Sequence, residues 1–139
     1  MNFNLTREHQ MLQKMMAEFT LQEVKPIAAY TDATCEYPKD TVEKLFDLGI
    51  MGMNVPRAYG GTGVDSLAGA IAVEELSKQC ASTGDILATH NGLCCAPILE
   101  YGTQEQKMKY LHMLTTGRHV GAFALTEPNA GSDASKAQT

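Results

Sequence analysis

The sequence has no tryptophan, and aromatic residues make up only 6% of it. Its core must therefore be aliphatic, with the 8 methionines supplying adaptable thioether packing in place of large rings. Charged residues are also few, 19% against 44% apolar, which excludes a disordered polyelectrolyte and suits a chain that buries a core. No five basic residues run together. With Lys+Arg at 11 against Asp+Glu at 16 and a net charge of −5, nucleic acid is a poor partner. No apolar stretch approaches the roughly 18 residues of a membrane span. The opening Met1-Asn2-Phe3-Asn4-Leu5-Thr6 leads into helical pattern without a signal-peptide core or an Arg-rich leader, so a cytoplasmic protein without a membrane partner is expected. Cys35, Cys80, Cys94 and Cys95 include no C-x-x-C pair, which argues against a metal or disulfide framework and for reduced, mostly buried thiols. At 139 residues there is room for one domain of modest size.

What is present is mainly helical periodicity. Thr6 is a plausible N-cap for a helix with Glu8 in its first turn and Leu12, Met16 and Phe19 on one face. Pro26 predicts a kink or break, after which Ile27 to about Ala33 continues as helix. Asp40 with Glu43 has the spacing of a capping box for a second helix carrying Val42, Leu45 and Phe46 and ending at Gly49. Residues 50–63, rich in Gly and Pro, read as a loop. Asp65 or Ser66 starts a third helix with Leu67, Ile71, Val73 and Leu76. A fourth runs from Ala81 to Leu99, interrupted at Pro97. A fifth begins with the capping box Thr103 to Gln106, carries Met108, Leu111 and Leu114, and ends at Gly117.

After Arg118 the pattern changes. Val120-Gly121-Ala122-Phe123-Ala124-Leu125-Thr126 is a short apolar run between Gly117 and Pro128, the signature of a buried strand. A lone strand has no ladder partner, so this segment is expected to pair with another copy or collapse onto the helices, and the sequence reads as ending inside a domain. The turn that follows offers backbone N–H groups with hydroxyls at Thr126 and Ser132, and Gly131 permits close approach. It is either a plain turn or a cradle for an anionic or amide-rich ligand.

The run Ala124-Leu125-Thr126-Glu127-Pro128-Asn129-Ala130-Gly131-Ser132-Asp133 resembles the first signature of the acyl-CoA dehydrogenase family. Tyr59-Gly60-Gly61-Thr62-Gly63 with Val73-Glu74-Glu75-Leu76, Thr89-His90-Asn91 with Pro97-Ile98, and Gly102 to Lys107 are similar to that family in the same order. Phe3-Asn4-Leu5-Thr6 resembles the opening of bacterial butyryl-CoA dehydrogenases, so the likeness covers the whole chain. It implies a mainly α fold, with residues 1–117 as the N-terminal helical domain of five or six helices. Residues 118–139 would begin the middle β-domain with its first strand. The remaining two-thirds of such an enzyme, including its catalytic glutamate, would lie beyond Thr139.

The resemblance further implies FAD, an acyl-CoA substrate oxidised at its α,β bond, an electron-transfer flavoprotein as acceptor, a homotetramer, and a bacterial cytoplasmic setting. Phe123, Ala124, Leu125, Thr126, Glu127, Pro128, Asn129, Ala130, Gly131 and Ser132 match the flavin-binding stretch. Leu125 and Thr126 match positions at the flavin ring, and Ser132 a residue shared with acyl-CoA. Lys136 departs from the signature, which has a small residue there. The other readings are a free-standing helical interaction module without catalysis and part of an acyl-CoA oxidase.

Several polar residues have ordinary structural explanations. Glu74 and Glu75 point about 100° apart on a helix, which makes a solvated face or a helix contact a better reading than an acid–base pair. His90 and Asn91 either line a ligand cavity or are satisfied core residues. Cys94 and Cys95 read as inert packing, Met15, Met16, Met51 and Met53 as core fillers, and Asp133 as a local turn former.

Overall fold

The computed structural model describes residues 4–139. Thr6 accepts a hydrogen bond from the His9 amide and starts α1 (Arg7–Phe19), which passes through a wide π-type turn (Thr20–Val24) into α2 (Lys25–Thr34). The break expected at Pro26 is absorbed: the proline sits in the first turn of α2, where its missing N–H costs least, and the wide turn precedes it. The same device handles Pro97. Helix α5 (Ala81–Ala88) continues through a second wide turn (Thr89–Cys95) into α6 (Ala96–Tyr101), with Pro97 again in the first turn. A third wide turn (Lys107–Leu111) joins α7 (Gln104–Gln106) to α8 (His112–Thr115). With α3 (Lys39–Asp47) and α4 (Ser66–Ser77), these elements make five continuous helical segments, as the periodicity predicts.

Caps fall where the local chemistry puts them, with one exception. The Asp65 carboxylate accepts from the Ala68 N–H at 2.8 Å, and Thr103 and Gln106 close a reciprocal capping box. The Asp40–Glu43 box does not form, because Pro38 takes the N-cap position, α3 starts two residues earlier than that box requires, and Asp40 lies inside the first turn. Gly49 and Gly117 end their helices at φ +71° and +83°. Thr103→Ala is expected to cost about 1 kcal/mol in urea denaturation, and Thr103→Ser to restore most of it, since only the capping hydroxyl is at stake.

The main core joins Met16, Val24, Val42, Leu45, Ile50, Met51, Met53, Ala72, Leu76 and Leu87, and a second cluster gathers Val55, Cys95, Leu111 and Leu114. The loop after α3 contributes more than its composition suggests. Met51 and Met53 are buried because the loop's backbone is satisfied internally, with Thr62 N–H donating to the Gly52 carbonyl and Val64 N–H to the Met53 carbonyl. Met15 is 37% exposed and Met108 57%, so neither is the core filler or inward residue their spacing suggests. Of the four free cysteines only Cys95 is buried, against the expectation of mostly buried thiols. Glu75 is a helix contact: α4 buries its carboxylate, which accepts from Gln13 of α1 at 3.0 Å and from Lys78 at 2.7 Å. Glu74 faces solvent.

The segment predicted as a buried strand is corrected. Residues 120–126 have no ladder, and Val120, Phe123 and Leu125 are each nearly half exposed. The one bridge among the described residues is Glu127 with Ala130, which closes the turn that follows. Strand burial needs neighbouring strands to take up backbone groups and cover side chains, and none lies beside this segment. No helix among the described residues is long and apolar enough to cross a membrane.

Candidate functional site

Gly117 ends the last helix, and the chain then runs extended past the wide turn of Thr89–Cys95. Hydrogen bonds from His119, Gly121 and Ala122 hold it there: the His119 N–H donates to the Met113 carbonyl and the Ala122 N–H to the Cys94 sulfur. The Gly121 N–H donates to His90 Nδ1 at 2.8 Å, while His90 Nε2 lies 3.1 Å from the Leu114 carbonyl. Because Nδ1 must accept and Nε2 must donate, the ring is neutral with its proton on Nε2. His90 is fully buried, and burial holds its pKa below the usual histidine value, against the smaller opposing pull of the Leu114 and Met51 carbonyls. It is thus a satisfied core histidine, the plainer of its two readings. Its partner, 31 residues away, is not apparent from the sequence.

Gly121 has no room for a side chain. A Cβ there would strike Cys94 Sγ and lie 2.6 Å from Cys94 Cβ. Burial raises the Cys94 thiol pKa and pushes that of Cys95 up to about 12, with Cys94 adding to the latter, so both stay protonated and unreactive as expected.

Beyond this anchor the predicted site residues follow one another along an exposed strip, apart from half-buried Glu127 and buried Ala130. Phe123, Ala124, Leu125 and Thr126 are exposed, and their backbone N–H groups have no hydrogen-bond partner among the described residues. Glu127 and Ala130 then exchange backbone hydrogen bonds at 3.0 and 3.1 Å around Pro128-Asn129, burying Ala130 and leaving Gly131 and Ser132 exposed. A Cβ at Gly131 would meet nothing, so this glycine leaves open space. Asp133 is a turn former: it accepts from the Ser135 hydroxyl and pairs with Lys136 at 3.0 Å, and these two contacts, Ser135 first, hold its pKa down. Lys136, the departure from the signature, is thereby held in this local ion pair. The result is a row of free donors at Leu125 and Thr126, a hydroxyl at Ser132, and two exposed apolar side chains. That donor set suits the acceptor edge of a flat heteroaromatic group such as a flavin ring.

Asn91 lies elsewhere, beside a cleft of about 540 Å³ between α4 and α5 lined also by Gly69, Ala70, Val73, Ala88 and Ala96. Its amide donates to the Ile50 and Leu87 carbonyls, while its Oδ1 is buried without a partner. No group of three or more metal-ligating side chains occurs among the described residues.

The family model described as acyl-CoA dehydrogenase, N-terminal domain, matches residues 6–118. The chain belongs to the acyl-CoA dehydrogenase family. It is 51% identical over 139 residues to a short-chain specific acyl-CoA dehydrogenase of Clostridium acetobutylicum, covering 100% of this chain and 37% of that protein. Butyryl-CoA dehydrogenase from Megasphaera elsdenii has the same fold over 100% of this chain and 37% of its own, with a TM-score of 0.92 at 41% identity. An acyl-CoA dehydrogenase from Bacillus anthracis, solved with FAD, matches at a TM-score of 0.89 and 35% identity over 96% of this chain and 23% of that one. The chain thus spans little more than a third of the short-chain relatives, and within this family it corresponds to the N-terminal helical part.

Proposed function

We propose that this chain is the N-terminal part of an FAD-dependent short-chain acyl-CoA dehydrogenase that oxidises the α,β bond of acyl-CoA to enoyl-CoA. Residues 1–117 form its helical domain and residues 118–139 open its middle β-domain. The observation that carries the reading is the strip Phe123–Ser132, where a family signature coincides with free backbone donors beside exposed apolar side chains. When bound there, FAD supplies the hydride acceptor for the substrate β-carbon. The Leu125 N–H, the Thr126 N–H and the Thr126 hydroxyl are the groups of this chain that would hold the ring's acceptor edge. They favour negative charge on that edge because fixed dipoles need no reorganisation as charge develops. Ser132 is the group shared with the acyl-CoA ligand, while Phe123 and Leu125 offer apolar cover against water.

Electron-transfer flavoprotein as the acceptor and a homotetrameric assembly go with this reading, and a cytoplasmic location goes with the likeness to bacterial relatives, since other relatives of similar identity are mitochondrial. The 139 residues alone are inactive in it, since the α-proton needs a catalytic glutamate that the resemblance puts beyond Thr139.

The test uses the complete enzyme and the 139-residue chain side by side. The complete enzyme is expected to hold stoichiometric flavin that butyryl-CoA bleaches under anaerobic conditions, and the short chain to show no turnover. Thr126→Ala in the complete enzyme should slow flavin reduction by about 10²-fold, the usual cost of one preorganised donor. An unchanged rate removes Thr126 from the site. Turnover by the short chain overturns its inactivity, and stoichiometric peroxide formation in air assigns the protein to the oxidase branch instead.

A further inference from the structure

His90 has a second consequence beyond core packing. It makes the one hydrogen bond to a titratable ring among those that tie the start of the extended segment to the helical domain, through Gly121 N–H at 2.8 Å, between the bonds of His119 to Met113 and of Ala122 to Cys94. The contact is specific to one tautomer of one protonation state. Nδ1 accepts only when bare, and Nε2 is already committed to the Leu114 carbonyl of α8. The close approach is built in as well, because Gly121 sits against Cys94 where any larger residue would collide. We propose that His90 is a pH-gated clasp that positions the cofactor-binding segment on the helical domain. The functional part of this proposal rests on the flavin reading of residues 123–132; the clasp itself does not.

The surroundings of the ring decide how it responds to acid. Its own turn contributes the Cys94 and Cys95 thiols, with Cys95 Sγ 3.7 Å from Nε2. Helix α3 contributes the edge-on Phe46 ring at 5.6 Å, α8 the Leu114 carbonyl, the loop after α3 the Met51 backbone, and the extended segment the Gly121 amide. No carboxylate or ammonium group contacts the ring among the described residues. A proton added at Nδ1 therefore puts an N–H against the Gly121 N–H and leaves a buried cation without a counter-charge. Burial depresses the folded pKa, so the clasp is fully present above the ordinary histidine range, about 6.5. It is lost as the pH falls through the lower folded value.

The experiment follows the 139-residue chain by nuclear magnetic resonance from pH 8 to pH 5. Ring nitrogen shifts of His90 should report a proton on Nε2 and a bare Nδ1 at pH 8. The Gly121 amide should be protected from hydrogen exchange about tenfold over the amide of exposed Phe123, as one buried hydrogen bond gives. That protection factor should fall in step with the His90 titration. His90→Asn, whose Oδ1 keeps an acceptor near the Nδ1 position, should retain Gly121 protection without pH dependence. His90→Leu should lose it at every pH.

A proton on Nδ1 at pH 8, or Gly121 protection that stays constant while His90 titrates, overturns the proposal in the unaltered chain whether or not a variant folds. Equal protection in His90→Leu also overturns it. A chain that shows the clasp yet takes up no FAD in the complete enzyme refutes the flavin reading and leaves the clasp standing.

Discussion

Leu76→Ala is expected to lower the unfolding free energy by about 2–5 kcal/mol, a large part of the 5–15 kcal/mol typical of a domain. Leu76 is fully buried on α4, the helix that packs against both α1 and α5, so the lost methyl groups leave a cavity that two neighbours would have to move to fill. Leu67, on the same helix but 48% exposed, is the internal control. Leu67→Ala should stay within about 0.5 kcal/mol, as surface substitutions do. Urea denaturation of the 139-residue chain measures both. Similar losses for the two would show that helix propensity, not burial, governs α4.

Gly61→Ala is the second large effect, expected at about 3 kcal/mol, the upper end for overpacking, because the obstacle is backbone. A Cβ at Gly61 would strike the Val55 carbonyl oxygen and come 2.5 Å from the Gly52 carbonyl oxygen. Neither can rotate away as a side chain can, and the Gly52 carbonyl is already held by the amides of Val55 and Thr62. Relief requires the loop that buries Met51 and Met53 to open. Gly92→Ala gives the contrast: a Cβ there meets nothing within 4 Å, and the change should be neutral or slightly stabilising. Equal melting behaviour of the two variants would remove the close-approach explanation.

The sequence reveals what depends on near neighbours. Thr6, Asp65 and Thr103 are readable as caps because the amide each one accepts from lies three residues on. Asp40 misleads because Pro38 lets the helix begin earlier than the capping pattern indicates. Met51 and Met53 are readable as core fillers and are buried, but the loop folded back on itself through residues ten or so apart that makes this possible reads in composition simply as irregular. The strand expected at 120–126 fails for a similar reason, since an apolar run states that burial is wanted and not what would provide it. At the site, the residues of the strip are legible as a motif, and most of them are exposed, with Ala130 buried by the turn. The anchor that holds them is not legible, because a histidine in an apolar stretch and a glycine 31 residues later carry no local sign of each other.

The three wide turns bear on how this chain tolerates change in length. Each holds one residue more than an α-helix would use over the same rise. Removing a residue elsewhere in a helix rotates everything after it by about 100° and turns buried side chains outward. Removing one inside a wide turn closes it to regular α geometry and leaves the flanking faces as they were. Helix length and facing, inseparable along most of the chain, come apart at these three points.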